Sequence, residues 1–202
     1  MHLFLHSCLA LLLLVPALAL ADSAQLVAAA EAQLGVTTSY DPSYRRLDYP
    51  MGDVPMHTGV CTDVVIRAYR ELGIDLQRRV HEDMRAAFDD YPRLWGLHKP
   101  DRNIDHRRVP NLQTFFRRHA AELTVTQQPA SYLPGDLVTW RLPGNLPHIG
   151  IVSAERTADG EPLILHNIGF GVRKEAILFA YPITGHYRFY PQPAGPTPAI
   201  SD

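Results

Sequence analysis

Three side chains set the chemistry this sequence can perform: Cys61, His148 and His166. Cys61 stands near the front of TGVCTDVVIRAYRELG, Thr58 to Gly73. Val64, Val65, Ala68, Tyr69 and Leu72 follow at helical spacing, Thr58 and Gly59 are capping types, and Gly73 supplies a stop. Cys61 is therefore expected in the first turn of a helix, where unpaired N–H groups and the helix dipole favour a thiolate. The competing reading is a core cysteine, because the apolar residues at 64, 65 and 68 place it on their own stripe. His148 opens HIGIVSA, His166 closes PLILHN, and the Asp159-Gly160 between them is a hairpin signal. Antiparallel pairing about that turn brings the start of the first strand beside the end of the second. The two imidazoles then share one face. A Cys61 helix packed across that face would align nucleophile, base and orienter for acyl transfer through a thioester. A single histidine among the ten in the chain is more often a satisfied surface or core residue, and the hairpin is what singles out these two. A one-residue slip in register would put Asn167 or His186 in the third position instead.

The elements that must position these groups fall in two halves. Asp22 to Leu34 is Ala-rich with one apolar side, a helix ended by Gly35. The stretch to His57 is turn-rich, with Pro42, Pro50 and Pro55 excluding regular structure, and is long for a loop. After the Cys61 helix, 75–88 and 111–119 read as helices and 94–108 as irregular and charged. Strands are expected at 136–141, 148–154, 162–167 and 186–190, with 176–180 a short strand or helix. Helices first and antiparallel strands after argue for an α+β fold rather than a doubly wound sheet.

Composition narrows the function. The apolar run Leu9 to Leu20 is too short to span a bilayer and ends in Ala19-Leu20-Ala21, a small-x-small cleavage pattern. Residues 1–21 thus read as a signal peptide cut after Ala21, making the protein periplasmic or secreted. Cys8 leaves with it, so the exported chain keeps one cysteine where such proteins usually keep pairs. Residues 22–190 are one domain, and the Pro-rich 191–202 a disordered tail. The formal net charge is −2, no basic run points to nucleic acid, and no second apolar segment points to a membrane span. His81-Glu82 lacks the second histidine of a zinc protease, since Arg85 stands there. Asp101, Asn103 and Asp105 start like a calcium loop, but His106 and Leu112 occupy its glycine and glutamate positions. No metal and no organic cofactor is expected. No Gly-x-Ser-x-Gly elbow occurs, which argues against serine hydrolase chemistry.

Short motifs in order resemble the NlpC/P60 superfamily of papain-like cysteine peptidases that act on bacterial cell-wall peptides. They are Tyr49-Pro-Met-Gly52-Asp53, Val60-Cys61-Thr62-Asp63, Pro134-Gly135-Asp136-Leu137-Val138, His148-Ile149-Gly150-Ile151 and Leu163-Ile164-Leu165-His166. The fuller text, including NIDHRRVPNL and LPHIGIVS, looks like a family of small exported bacterial proteins carrying a domain-of-unknown-function label. The resemblance implies a papain-like fold, with N-terminal helices packed on a C-terminal antiparallel sheet. It makes Cys61 the nucleophile, His148 the base and His166 the third member. It matches Tyr49 to a tyrosine facing the nucleophile and implies Asp53 and Asp63 as neighbours of the peptide subsite. Two departures bear on substrate preference: Val60 replaces an acidic residue, and Asp63 a small one. The segment Ile74 to Ser131 is also longer than usual, and Asp101, Asp105, His106, Arg107 and Arg108 in it are either a specificity wall or solvated surface. The implied activity is hydrolysis of a peptidoglycan amide bond, as amidase or endopeptidase, with peptidoglycan or its stem peptides as partner. A non-catalytic peptide- or wall-binding module and a thioester-forming acyltransferase use the same residues.

Overall fold

Side-chain alternation along the C-terminal strands gives the sheet two apolar faces, and the helical half covers one of them. The computed structural model describes residues 22–190. The expected signal peptide and Pro-rich tail lie outside the described residues. In chain order the elements are α1 (22–31), β1 (Ser39–Tyr40), β2 (Thr58–Gly59), α2 (Cys61–Glu71), α3 (Leu76–Ala86) and α4 (Val109–Arg118). Then come β3 (Glu122–Leu123), β4 (Leu137–Leu142), β5 (Leu146–Arg156), β6 (Pro162–Asn167), β7 (Val172–Glu175) and β8 (Ile183–Tyr187). Strands β3 to β8 form one antiparallel sheet in the order β3-β8-β4-β5-β6-β7, while β1 and β2 make a separate parallel pair. The fold is α+β, N-terminal helices on a C-terminal antiparallel sheet, as the sequence implied.

Leu137, Ile149, Ile151 and Leu165 point to the helices and pack with Val64, Val65 and Ala68 of α2 and Leu26 of α1. The other sheet face carries Val138, Trp140, Val152 and Ile164, covered by Tyr132 and Leu178. The Trp140 indole N–H donates to the Leu178 carbonyl at 2.8 Å, so its burial leaves no unpaired donor. Asp136, in the Pro-Gly-Asp-Leu-Val stretch, accepts from Leu133 N–H (2.9 Å) and Arg188 Nε (2.7 Å), with His186 Nε2 2.8 Å away. That carboxylate pins β8 to the start of β4.

Differences from the sequence expectations have local causes. Thr58 and Gly59 do not cap α2, because their backbone is committed to pairing with β1, and Val60 is the N-cap. Residues 176–180, expected as a short strand or helix, are neither, and the strand lies earlier, at Val172–Glu175. It is an edge strand whose Arg173, Lys174 and Glu175 read as loop. Asp105, His106 and Arg107 are neither open wall nor solvated surface: all three are buried beside α3 and α4. Burial pushes the Asp105 carboxyl up to about 6 and the His106 imidazole down to about 3.

Helix α2 is held by two buried ions of its own. Asp63 accepts the Val60 N–H at 2.7 Å and a bidentate pair from Arg107 at 2.9 Å each. Arg107 also donates to the carbonyls of Ser43 and Asp41, and its own carbonyl accepts from the Thr62 hydroxyl at 3.1 Å. One turn on, Arg67 pairs with Asp53 (3.0 Å) and donates to Thr37 Oγ1 (2.9 Å) and the carbonyls of Val54 (3.1 Å) and Thr58 (3.0 Å). The 41–57 loop is thereby clamped to the helix that carries Cys61. Side chains of the Asp63–Arg107 pair are 4% and 2% exposed, so removing one partner strands a buried charge. Arg107→Met is expected to lower unfolding free energy by about 3–5 kcal/mol, read by urea denaturation at neutral pH. A loss under about 1 kcal/mol would show that the clamp is not holding the helix.

Candidate functional site

The hairpin places the two histidines as its turn implied. Gly160 adopts φ +83° in the Asp159-Gly160 turn, and Ile151 pairs with Leu165 across β5 and β6. Continuing that register sets Gly150 opposite His166, so His148 and His166 are diagonal neighbours on one face. His148 Nε2 lies 3.2 Å from His166 Nδ1, the rings at 89° to one another. Gly150 makes this approach possible by space rather than by backbone freedom. A Cβ there would lie 2.6 Å from Ile164 Cγ2, 3.0 Å from the Leu165 carbonyl oxygen and 3.2 Å from His166 Cβ. On its outer side His166 Nε2 sits 3.1 Å from Glu175 Oε2 of β7.

Helix α2 was expected across the histidines' face of the sheet, and the structure corrects this. Helix α2 packs on the face of Ile149, Ile151 and Leu165, opposite to that of His148, Gly150 and His166. The thiol instead lies against the backbone N–H of Ile149, the residue after His148, and is served also by the N–H groups of Thr62 and Cys61.

Burial governs the protonation states. The thiol is 4% exposed, and desolvation pushes Cys61 up to about 12, with the three N–H groups opposing and the Asp63 carboxylate reinforcing. The expected thiolate is therefore overturned: helix N-terminal donors are present, but desolvation outweighs them. Burial, then the proximity of His166, pushes His148 down to about 3. His166 is lowered by burial too, against the raising effect of Glu175. At neutral pH the site holds a thiol and two neutral imidazoles.

The three residues expected at substrate binding, Tyr49, Asp53 and Asp63, are each engaged with partners inside the protein. Tyr49 packs its ring edge-on to His81 of α3 (5.4 Å), with the Arg102 guanidinium 5.5 Å from its centroid. The tyrosine beside Cys61 is Tyr40 of β1, 38% exposed, its phenol pushed up by burial, then by the charges of Cys61 and Asp63, against Arg107. Sequence reading missed Tyr40 because its position depends on the parallel pairing of Tyr40 with Gly59, which no local pattern announces. Asp53 is spent on Arg67 and Arg70, and both oxygens of buried Asp63 are spent on Arg107 and Val60. They hold the helix. The two alternative third members are also engaged elsewhere: Asn167 Nδ2 donates to the Gly59 carbonyl (2.9 Å), and His186 faces Asp136 and stacks on Tyr132. With Cys61 only 4% exposed, little of the cysteine is open to solvent. A groove of about 300 Å³ opens farther along α2, lined by Gln25, Ala28, Gln33, Met56, Arg67 and Glu71.

Two outcomes follow from this geometry. Iodoacetamide labelling of native Cys61 should be slow at pH 7 and rise about tenfold per unit through pH 10, since the thiolate fraction grows until pH passes the raised pKa. A plateau near pH 8.5, as for an ordinary thiol, would contradict the buried, protonated sulfur. Gly150→Ala should destabilise the fold by about 1–3 kcal/mol through overpacking between β5 and β6, measured by urea unfolding. An unchanged midpoint would mean that the strands yield freely there.

The family described as Domain of unknown function (DUF1287) matches residues 27–189. A protein of Escherichia coli (strain K12), described as uncharacterized protein YijF, is 51% identical over 173 residues, 86% of this chain and 82% of that protein. A solved structure, that of NlpC1 from Trichomonas vaginalis, is similar over 85% of this chain at 15% identity and a TM-score of 0.46. This chain spans 45% of that one, and the likeness is a loose one.

Proposed function

We propose that this chain, which belongs to the DUF1287 family, is an exported cysteine hydrolase that cleaves an amide bond of cell-wall peptidoglycan through Cys61, His148 and His166. One observation carries the reading. Two imidazoles meet at 3.2 Å on adjacent strands, and the chain's described cysteine lies against the backbone N–H that follows the first of them. The peptidoglycan substrate and the periplasmic or secreted location rest on the motif resemblance to NlpC/P60 enzymes and on the leader-like residues 1–21.

The protonation states dictate the order of events. No thiolate–imidazolium pair stands ready, so the thiol proton passes to the free ring nitrogen of His148 as sulfur attacks the carbonyl carbon. Negative charge then develops on the carbonyl oxygen. The Cys61 N–H, at the first helical position and without an intrahelical acceptor, is a donor for it. His148 returns the proton to the departing amine as the C–N bond breaks, leaving a thioester. Water, giving its proton to His148, adds to the thioester, and sulfur leaves as the thiol. The His166 ring holds that of His148 in line through both halves. Tyr40, beside the thiol and partly exposed, is placed to meet the substrate.

A second reading, a non-catalytic module that binds wall peptides, is favoured by one fact: the sulfur is buried and protonated at rest. Digestion of purified peptidoglycan separates the two. Wild type should release amide-cleaved fragments by mass analysis, and Cys61→Ala none, while both proteins sediment with intact sacculi. Identical fragments from the two would remove the hydrolase reading and leave the binding one.

A further inference from the structure

The geometry points to Glu175 as a positioning residue that fixes the tautomers of His166 and His148 in series, so that a bare nitrogen of His148 is left for the thiol. This inference rests on the cysteine-hydrolase reading for its consequence, though not for its structure. Glu175 belongs to β7, opposite Ile164, which sets it diagonal to His166 across the strand pair. Its Oε2 lies 3.1 Å from His166 Nε2, and its Oε1 lies 3.7 Å from Arg173 Nη1.

Two neutral imidazoles facing each other need one donor and one acceptor, and either ring can take either part. If His166 Nδ1 carries the proton, His148 Nε2 must accept it, and the His148 proton sits on Nδ1. That ring would then present an N–H where a base is wanted. If His148 Nε2 carries the proton, Nδ1 is a lone pair able to take the proton from sulfur. An isolated pair has no reason to prefer the second arrangement. Glu175 supplies the reason: an ionised carboxylate only accepts, so it requires a proton on His166 Nε2. Neutral His166 has a single proton to place. Its Nδ1 is then bare, must accept from His148 Nε2–H, and leaves His148 Nδ1 bare in turn. Burial keeps His166 neutral, with the Arg173 charge assisting and the Glu175 charge opposing.

Glu175 never touches the reacting atoms in this scheme. Its side chain is 38% exposed at the rim of the sheet, whereas the His166 side chain it orients is fully buried. The relay thus runs from a solvated carboxylate through two sealed rings to His148 Nδ1, and the direction of the inner hydrogen bond is set by the one outside it.

Long-range 1H–15N spectra of 15N-histidine-labelled protein, residues 22–202, read the tautomers directly, with His148→Gln and His166→Gln for assignment. Wild type should show both rings protonated at Nε2 and bare at Nδ1. Glu175→Leu should shift a sizeable share of His148 to the Nδ1–H form and lower kcat on peptidoglycan about tenfold or more, with KM little changed. Glu175→Gln, which keeps an acceptor oxygen, should restore part of both. An Nδ1–H tautomer at His148 in wild type, or Glu175→Leu spectra identical to wild type, would overturn the inference. Should Glu175→Leu fail to fold by circular dichroism, the wild-type spectrum and the near-isosteric Gln variant still decide. The spectra need no turnover, so a failed hydrolase reading appears as inert digests with the tautomers in place, and a failed relay as the reverse.

Discussion

Everything near the sulfur depends on how two charged residues of α2 are satisfied inside the protein. Asp63 and Arg67 are one turn apart on a helix buried along almost its whole length, close enough to pair with each other. They do not. Asp63 reaches one way to Arg107, and Arg67 reaches the other way to Asp53 and a ring of carbonyls from the 54–58 loop. Each ion thus recruits a segment with little regular structure and makes its shape obligatory, because an unpaired charge at these depths costs several kcal/mol. The helix start, and with it the position of Cys61, is defined by segments on both sides. A helix held by apolar contacts alone would leave its first turn free to fray.

The same burial that makes the clamp strong shapes the chemistry. A helix N-terminus normally favours a thiolate, and three backbone N–H groups do point at this sulfur. Desolvation prevails because the thiol has almost no water to stabilise a charge and the Asp63 carboxylate stands nearby. The two imidazoles are held neutral for the same reason. The thiol and the two imidazoles are therefore uncharged groups at neutral pH, the imidazoles joined to each other at 3.2 Å.

The helical stripe of α2 and the Asp-Gly turn of the β5–β6 hairpin were legible because both are written in short-range patterns, and the proximity of His148 to His166 follows from the second. The face on which α2 packs was misread: the helix was expected against the histidines, whereas Ile149 and Ile151, which alternate with His148 and Gly150, form the apolar set it covers. Other contributors were not legible. Tyr40 reaches the site through a two-residue parallel pairing, and Glu175 through an edge strand whose charges mimic a loop. The Asp63–Arg107 pair joins residues 44 positions apart. Tertiary closure, not local propensity, selects these three.

The imidazole pair comes from one hairpin, eighteen residues apart, whereas the sulfur arrives from the opposite half of the chain. A hairpin forms early and locally, while docking α2 against β5 must await the closure of a much longer loop. Until that happens the cysteine is an ordinary exposed thiol, with none of the burial that raises its pKa in the folded chain. A half-made polypeptide thus leaves this sulfur open to oxidants and alkylating agents, and the last long-range contact is what seals it away.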